Sequence, residues 1–149
     1  MDDKLYLTAQ DLLNDSFKLG LRIYKSGFRP SFIIGIWRGG TPVGIAVQEI
    51  LDHLGIKTDH IAIRTSSYYG INKKEKEVRV HGLAYVVRNA NREDGLLIVD
   101  DVFDSGNSIK AVLTMLTAKM RRNLPKDIRI ATSWFKPKNN ATDLIPDYY

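Results

Sequence analysis

No cysteine occurs among the 149 residues, which excludes a disulfide frame, a thiolate zinc site and a cysteine nucleophile. That absence fits a reducing cytosol, so a cytoplasmic location is expected. Long hydrophobic runs are missing too. The apolar stretches, such as Phe32-Ile33-Ile34-Gly35-Ile36-Trp37, are strand-sized, far short of the ~20 residues a membrane-spanning helix needs. The opening Met1-Asp2-Asp3-Lys4 carries acids where a secretory leader carries basic residues. Neither a membrane span nor export is expected. There is no low-complexity tract and no repeat at a solenoid period. The Walker pattern and Gly-x-Gly-x-x-Gly are both absent, which removes two common nucleotide-binding classes. His53, His60 and His81 are too scattered for a metal site and read as surface or loop residues.

What remains is an ordinary globular composition, 44% hydrophobic and 26% charged, enough to bury one core in one domain over residues 1–149. The net charge of +5 favours an acidic partner: nucleic acid, an anionic membrane surface or a phosphorylated small molecule. The densest basic run, Lys73, Lys74, Lys76 and Arg79, is interrupted by Glu75 and Glu77 and reads as a solvated loop.

Along the chain, Thr8 and Asp11 form a capping-box pattern, followed by Leu12, Leu13, Phe17, Leu19, Leu21 and Ile23 at near-helical spacing up to Gly27. A strand over Phe32–Trp37 then meets Arg38-Gly39-Gly40, with Thr41 as N-cap and Pro42 as first residue of a helix to about Leu54. Ile61-Ala62-Ile63 gives another strand. Leu96-Leu97-Ile98-Val99 gives a third, running through Asp100-Asp101 and a small polar turn into a helix from about Ser108 to Met120. Ile109, Val112, Leu113, Met115 and Leu116 supply that helix with one apolar face. Ile128-Arg129-Ile130-Ala131 completes the set and leads to Trp134-Phe135-Lys136-Pro137. Apolar strands alternating with helices predict an α/β fold: a single doubly wound domain with a mostly parallel twisted sheet flanked by helices. Ligands of such sheets bind beyond the carboxyl ends of the strands, where the turns at Arg38 and Asp100 both fall.

The chemistry is densest in LLIVDDVFDSGNS, residues 96–108. A buried strand delivers Asp100 and Asp101 to its exposed end, and Asp104 opens a turn of small residues that starts a helix. Free backbone N–H groups and the helix dipole suit a phosphate monoester there; Ser105 and Ser108 add hydroxyl donors. Carboxylates beside a phosphate cradle repel a polyphosphate unless they bind its hydroxyls or a bridging cation, a role that fits Mg²⁺ with retained waters. The pattern describes a sugar phosphate with free hydroxyls.

This stretch resembles the phosphoribosyl-pyrophosphate-binding motif of the type I phosphoribosyltransferases, and the chain is most similar to the bacterial and archaeal 6-oxopurine enzymes of that family. The resemblance implies a pentosyltransferase of purine salvage, joining ribose 5-phosphate to N9 of xanthine, guanine or hypoxanthine with release of pyrophosphate. It implies that Asp100 and Asp101 hold the ribose hydroxyls, directly or through Mg²⁺, and that Asp104, Ser105, Gly106, Asn107 and Ser108 bind the 5′-phosphate. Asp104 is the candidate general base near N7. Arg38, Gly39 and Gly40 match the pyrophosphate loop, where relatives often hold a non-proline cis peptide, expected here at Arg38–Gly39. Ser67 and Tyr68 match the Ser-Tyr pair of a flexible catalytic loop, placed at about residues 65–82 in a segment without strong period. Lys136 matches the residue that contacts O6. The implied partners are phosphoribosyl pyrophosphate, a purine base, the nucleoside monophosphate product and further copies of the chain as a dimer or tetramer.

The resemblance runs from about Ser31 to Tyr149. Relatives continue beyond that point with a Trp-containing segment over the purine, so the hood, from about residue 134, reads as incomplete, with truncation, Tyr148, Tyr149 or a partner subunit as the alternatives. Two alternatives remain open: a phosphoribosyltransferase for another base, against which Lys136 argues in the case of adenine, and a phosphoribosyl-pyrophosphate sensor that binds nucleic acid. The basic charge permits it, but no helix-turn-helix or RNA-binding aromatic motif supports it.

Overall fold

The computed structural model describes residues 4–69 and 76–149. Helix α1 (Ala9–Lys25) starts as the capping pattern predicts: the Thr8 hydroxyl accepts from Asp11 N at 3.1 Å and the Asp11 carboxylate accepts from Thr8 N at 2.8 Å. Then follow β1 (Phe32–Trp37), α2 (Gly40–His53), β2 (Asp59–Tyr69), β3 (Lys76–His81), α3 (Ala84–Asn89), β4 (Gly95–Phe103), α4 (Asn107–Met120) and β5 (Asp127–Phe135). The sheet order is β3-β2-β1-β4-β5. β1 lies parallel to β2 and to β4, and β4 lies parallel to β5; only β2 and β3 are antiparallel. The mostly parallel α/β sheet is the one the alternating pattern predicts.

Both faces of the sheet are covered, which is why its central strands are apolar throughout. One side buries Ile34, Ile36, Ile98 and Ile130 against Ile109, Val112 and Leu116 of α4. The other buries Ile33, Leu97 and Val99 against Leu19 and Ile23 of α1 and Val43, Val47 and Leu51 of α2. The chain leaves β1 toward β2 on one side and later returns to place β4 on the other. This switch opens a crevice beyond the ends of β1 and β4.

Four local expectations are corrected. Helix α2 begins at Gly40 with Gly39 as N-cap and no side-chain cap, because Gly39 already has helical dihedrals; the Thr41 hydroxyl is buried without a partner. Residues 65–82 are not a loop throughout: Arg64–Tyr69 pair with Lys76–His81 as an antiparallel hairpin. Val78 and Val80 alternate with Glu77, Arg79 and His81, a strand period masked in sequence by the charges around it. The non-proline cis peptide lies at Trp37–Arg38, one bond earlier than expected. His60 is half-buried on β2 rather than on the open surface or in a loop, and its ring Nε2 is fully buried. His53 and His81 are exposed as expected.

The last residues run along β5. Tyr148 bridges Ala131, is 7% exposed, and shares its hydroxyl with Ser26 and Arg129, each at 2.7 Å. Tyr148 therefore belongs to the core and does not cover a ligand. Among the described residues no helix is long and apolar enough to cross a membrane.

Candidate active site

β1 and β4 bring the two polar turns together. A methyl group on Gly39 would lie 2.3 Å from Asp101 Oδ2, and one on Gly40 would lie 2.4 Å from the Val99 carbonyl oxygen and 3.2 Å from Asp100 Oδ1. Only glycine lets the Arg38 turn approach the acidic end of β4 so closely. Arg38 itself is exposed beside this contact.

Asp100 and Asp101 are both half-buried. Asp101 N donates to Asp100 Oδ1 at 2.9 Å, and Val102 N donates to Asp101 Oδ1 at 2.8 Å. Burial, followed by the neighbouring Asp101 charge, pushes the Asp100 carboxyl from 3.8 up to about 8. No lysine or arginine among the described residues pairs with either acid. Adjacent carboxyl groups, of which the more buried resists ionisation, form a donor set that hydroxyl groups or a divalent cation can satisfy. The pair fits Mg²⁺ on that ground, although no cluster of three such ligands occurs among the described residues.

Beyond Phe103 the chain turns at Gly106, whose φ of 79° is left-handed, and enters α4 at Asn107. A methyl there would also meet the Phe103 ring at 2.7 Å, so conformation and space both require glycine. The turn borders a cavity of about 90 Å³ whose walls are Asp100, Asp104, Ser105, Gly106 and Ser108 together with the apolar Val102, Phe103 and Ile109. Asn107 heads the helix beside it and is exposed. Asp104 is exposed and accepts a hydrogen bond from Asn139 Nδ2 at 2.6 Å. Asn139 was not legible as a site residue, because it reaches Asp104 from beyond β5.

A second cavity of about 760 Å³ opens on the other side of Val102, which lines both. Its walls include Trp134, Phe135, Lys136 and Tyr149, together with the segment from Lys4 to Leu7. Lys136 is exposed at the end of β5, and its N–H donates to the Phe103 carbonyl at 2.9 Å, which ties this corner to the end of β4. Phe135 stands edge-on to Phe103 at 5.4 Å and to Tyr149 at 5.1 Å between ring centres. Trp134, in the wall of the same cavity, donates from Nε1 to Asp15 at 3.1 Å. Neither Val102 nor the N-terminal segment could be read as part of the site, since nothing in their local sequence marks them.

Arg38, Gly39, Gly40, Asp100, Asp101, Asp104–Ser108 and Lys136 are thus gathered around one crevice. Ser67 is exposed on β2. The Tyr68 side chain, Lys73 and Lys74 lie outside the described residues.

The sequence matches the phosphoribosyl transferase domain family over residues 6–148. The chain belongs to this family. It is a family of transferases, and the mostly parallel sheet with its flanking helices is the type I fold. Among solved structures, the purine phosphoribosyltransferase from Pyrococcus horikoshii is 26% identical, with 99% of this chain and 85% of that one covered and a TM-score of 0.72. A Neisseria gonorrhoeae protein solved with bound ppGpp is 23% identical, covering 99% and 81% of the two chains at a TM-score of 0.79. The xanthine-guanine-hypoxanthine phosphoribosyltransferase of Helicobacter pylori is 20% identical over 95% of this chain and 82% of that one, at 0.70. Curated protein sequences yield no match.

Proposed function

We propose that this chain transfers ribose 5-phosphate from phosphoribosyl pyrophosphate to N9 of a 6-oxopurine, releasing pyrophosphate and forming a nucleoside monophosphate. The observation that carries the reading is the junction at Val102: a small cradle bearing the carboxylates of Asp100 and Asp104 and the hydroxyls of Ser105 and Ser108 on one side, a larger, mostly apolar cavity ending in Lys136 on the other. A sugar phosphate fits the first and a planar base the second. The Pyrococcus and Helicobacter neighbours, both named as purine enzymes, support the same class.

In this reading Asp104, Ser105, Gly106, Asn107 and Ser108 anchor the 5′-phosphate through backbone N–H groups and hydroxyls at the start of α4. Asp100 and Asp101 take the ribose hydroxyls, and they would hold Mg²⁺, whose charge offsets that of the departing pyrophosphate when it is bound. Arg38, with the N–H groups of Gly39 and Gly40, receives the pyrophosphate. The C1′–oxygen bond breaks as N9 of the base approaches, and Asp104, held by Asn139, accepts the purine proton at N7. Lys136 donates to O6, which selects a carbonyl over an amino group. Tyr149 and Phe135 offer ring surface to the base. The work of the chain is cytoplasmic purine salvage, carried out as a homo-oligomer.

A chromatographic assay with phosphoribosyl pyrophosphate and Mg²⁺ tests this against hypoxanthine, guanine, xanthine, adenine, orotate and uracil. Product from 6-oxopurines alone is expected. Product from adenine or a pyrimidine would overturn the Lys136 assignment, and binding of phosphoribosyl pyrophosphate without any product would favour a sensor.

A further inference from the structure

His60 lies on β2, directly opposite Ile33 of β1. A methyl on Gly35 of β1 would stand 2.6 Å from its Nε2, and so would a methyl on Gly44 of α2. The ring therefore fills the space of two missing side chains at once, wedged between strand and helix. Those two elements are joined only by Arg38 and Gly39, so their separation sets the shape of the loop that carries Arg38, Gly39 and Gly40.

Nε2 is buried without a hydrogen-bond partner, a state that costs ~1–3 kcal/mol for a polar group. An apolar spacer would be more stable, which points to a use for the imidazole beyond filling space. Burial alone holds its proton affinity below the usual 6.5. β1 carries no charged residue. On α2 the titratable groups are Glu49, Asp52 and His53; Asp52 pairs with Lys57. On β2, Asp59 is engaged by the Tyr85 hydroxyl at 2.5 Å, and Arg64 is exposed. Among the described residues no counter-charge reaches the ring. In the charged ring Nε2 necessarily carries a proton that needs an acceptor, and the Gly40 carbonyl oxygen lies 3.5 Å from the same methyl position on Gly35. Drawing on that carbonyl disturbs the first turn of α2.

We propose that His60 is a positioning residue of the Arg38–Gly40 loop: its neutral ring spaces β1 and α2 so that the loop receives a polyphosphate, and protonation of the ring releases that spacing. The inference rests on the functional reading above for what the loop binds.

The test is calorimetric binding of phosphoribosyl pyrophosphate with Mg²⁺, from about pH 7.5 to 5.5, beside an NMR titration of the His60 ring in the full chain. Wild type should weaken about tenfold on acidification, the scale of a small misplacement of binding groups, with its midpoint at the NMR midpoint of His60. His60→Phe keeps a flat ring and should bind as wild type at the upper pH without the acid response. His60→Ala should bind about tenfold more weakly throughout. Gly44→Ala should weaken binding in the wild-type background yet partly restore it in His60→Ala, where the methyl fills vacated space. An acid response that persists unchanged in His60→Phe, or His60→Ala binding like wild type while remaining folded by circular dichroism, would overturn the proposal alone. Wild type that binds neither phosphoribosyl pyrophosphate nor pyrophosphate at any pH would overturn the functional reading and this inference together.

Discussion

Replacing Asp100 by Asn should stabilise the ligand-free protein while removing its ability to bind phosphoribosyl pyrophosphate. Folding raises the Asp100 carboxyl from 3.8 to about 8, so the folded state favours the neutral form. The stability contributed by that neutral form is fully present below 3.8 and is lost as pH rises through about 8. Over that window the preference amounts to on the order of 5 kcal/mol at about 1.4 kcal/mol per pH unit. Water entry beside Asp101 and rotation of its side chain recover part of this in the ionised state, leaving about 2–4 kcal/mol for the substitution to relieve. Asn keeps the acceptor that Asp101 N uses, so no packing or hydrogen bond is lost. At roughly 2–4 °C per kcal/mol for a chain of this size, Asp100→Asn should melt about 5–15 °C above wild type near pH 9. Roughly a third of that gain or less should remain near pH 5, because only the first part of the window has been crossed. The assay is a series of thermal melts of both proteins from about pH 5 to 9, read as a difference, so that other carboxylates cancel. A difference that stays flat across the series would refute the burial and repulsion argument, and with it the case that this pair is poised for a cation or hydroxyl donors. The gain in stability with a loss of binding is what a functional carboxylate held in an unfavourable place should give.

Asp104→Asn should lower kcat about 10²-fold or more while changing phosphoribosyl-pyrophosphate affinity far less, as rapid-quench and equilibrium binding would separate; an equal loss in both would remove Asp104 from proton transfer. Lys136→Ala should raise KM for 6-oxopurines by about 10–100-fold and narrow the gap to adenine, measured in the same product assay. Gly40→Ala should destabilise the protein by about 1–3 kcal/mol in denaturant titration, because the added methyl meets the Val99 backbone, which cannot swing aside. Gly39→Ala meets a side chain instead, that of Asp101, and should spare the fold while weakening calorimetric binding more than tenfold.

The sequence was legible wherever the physics was local. α1 could be placed from Thr8, Asp11 and its apolar period because a capping box acts within one turn. Residues 96–108 were readable as a strand, acidic end, glycine turn and helix because each step is encoded within a few neighbours. The hairpin escaped because the pairing of Arg64–Tyr69 with Lys76–His81 is a relation between two segments, neither of which has a hydrophobic run of its own. The start of α2 shifted because Gly39 accepts helical dihedrals without a side-chain cap, so the Thr41-Pro42 signal was overridden by the turn that precedes it.

Sequence alone therefore determined the alternation of apolar strands and helices, the acidic pair with its glycine turn, and the Arg-Gly-Gly turn, since these depend on side-chain chemistry and short-range backbone preference. Only the tertiary structure decided that Gly39 and Gly40 meet Asp101 and Asp100, that Asn139 reaches Asp104, and that the segment from Lys4 to Leu7 faces Lys136 and Tyr149 across one cavity. It likewise decided that Tyr148 is core and that His60 separates β1 from α2. These contacts join residues distant in the chain. They are set by strand order and by how closely the layers pack, which no local preference records.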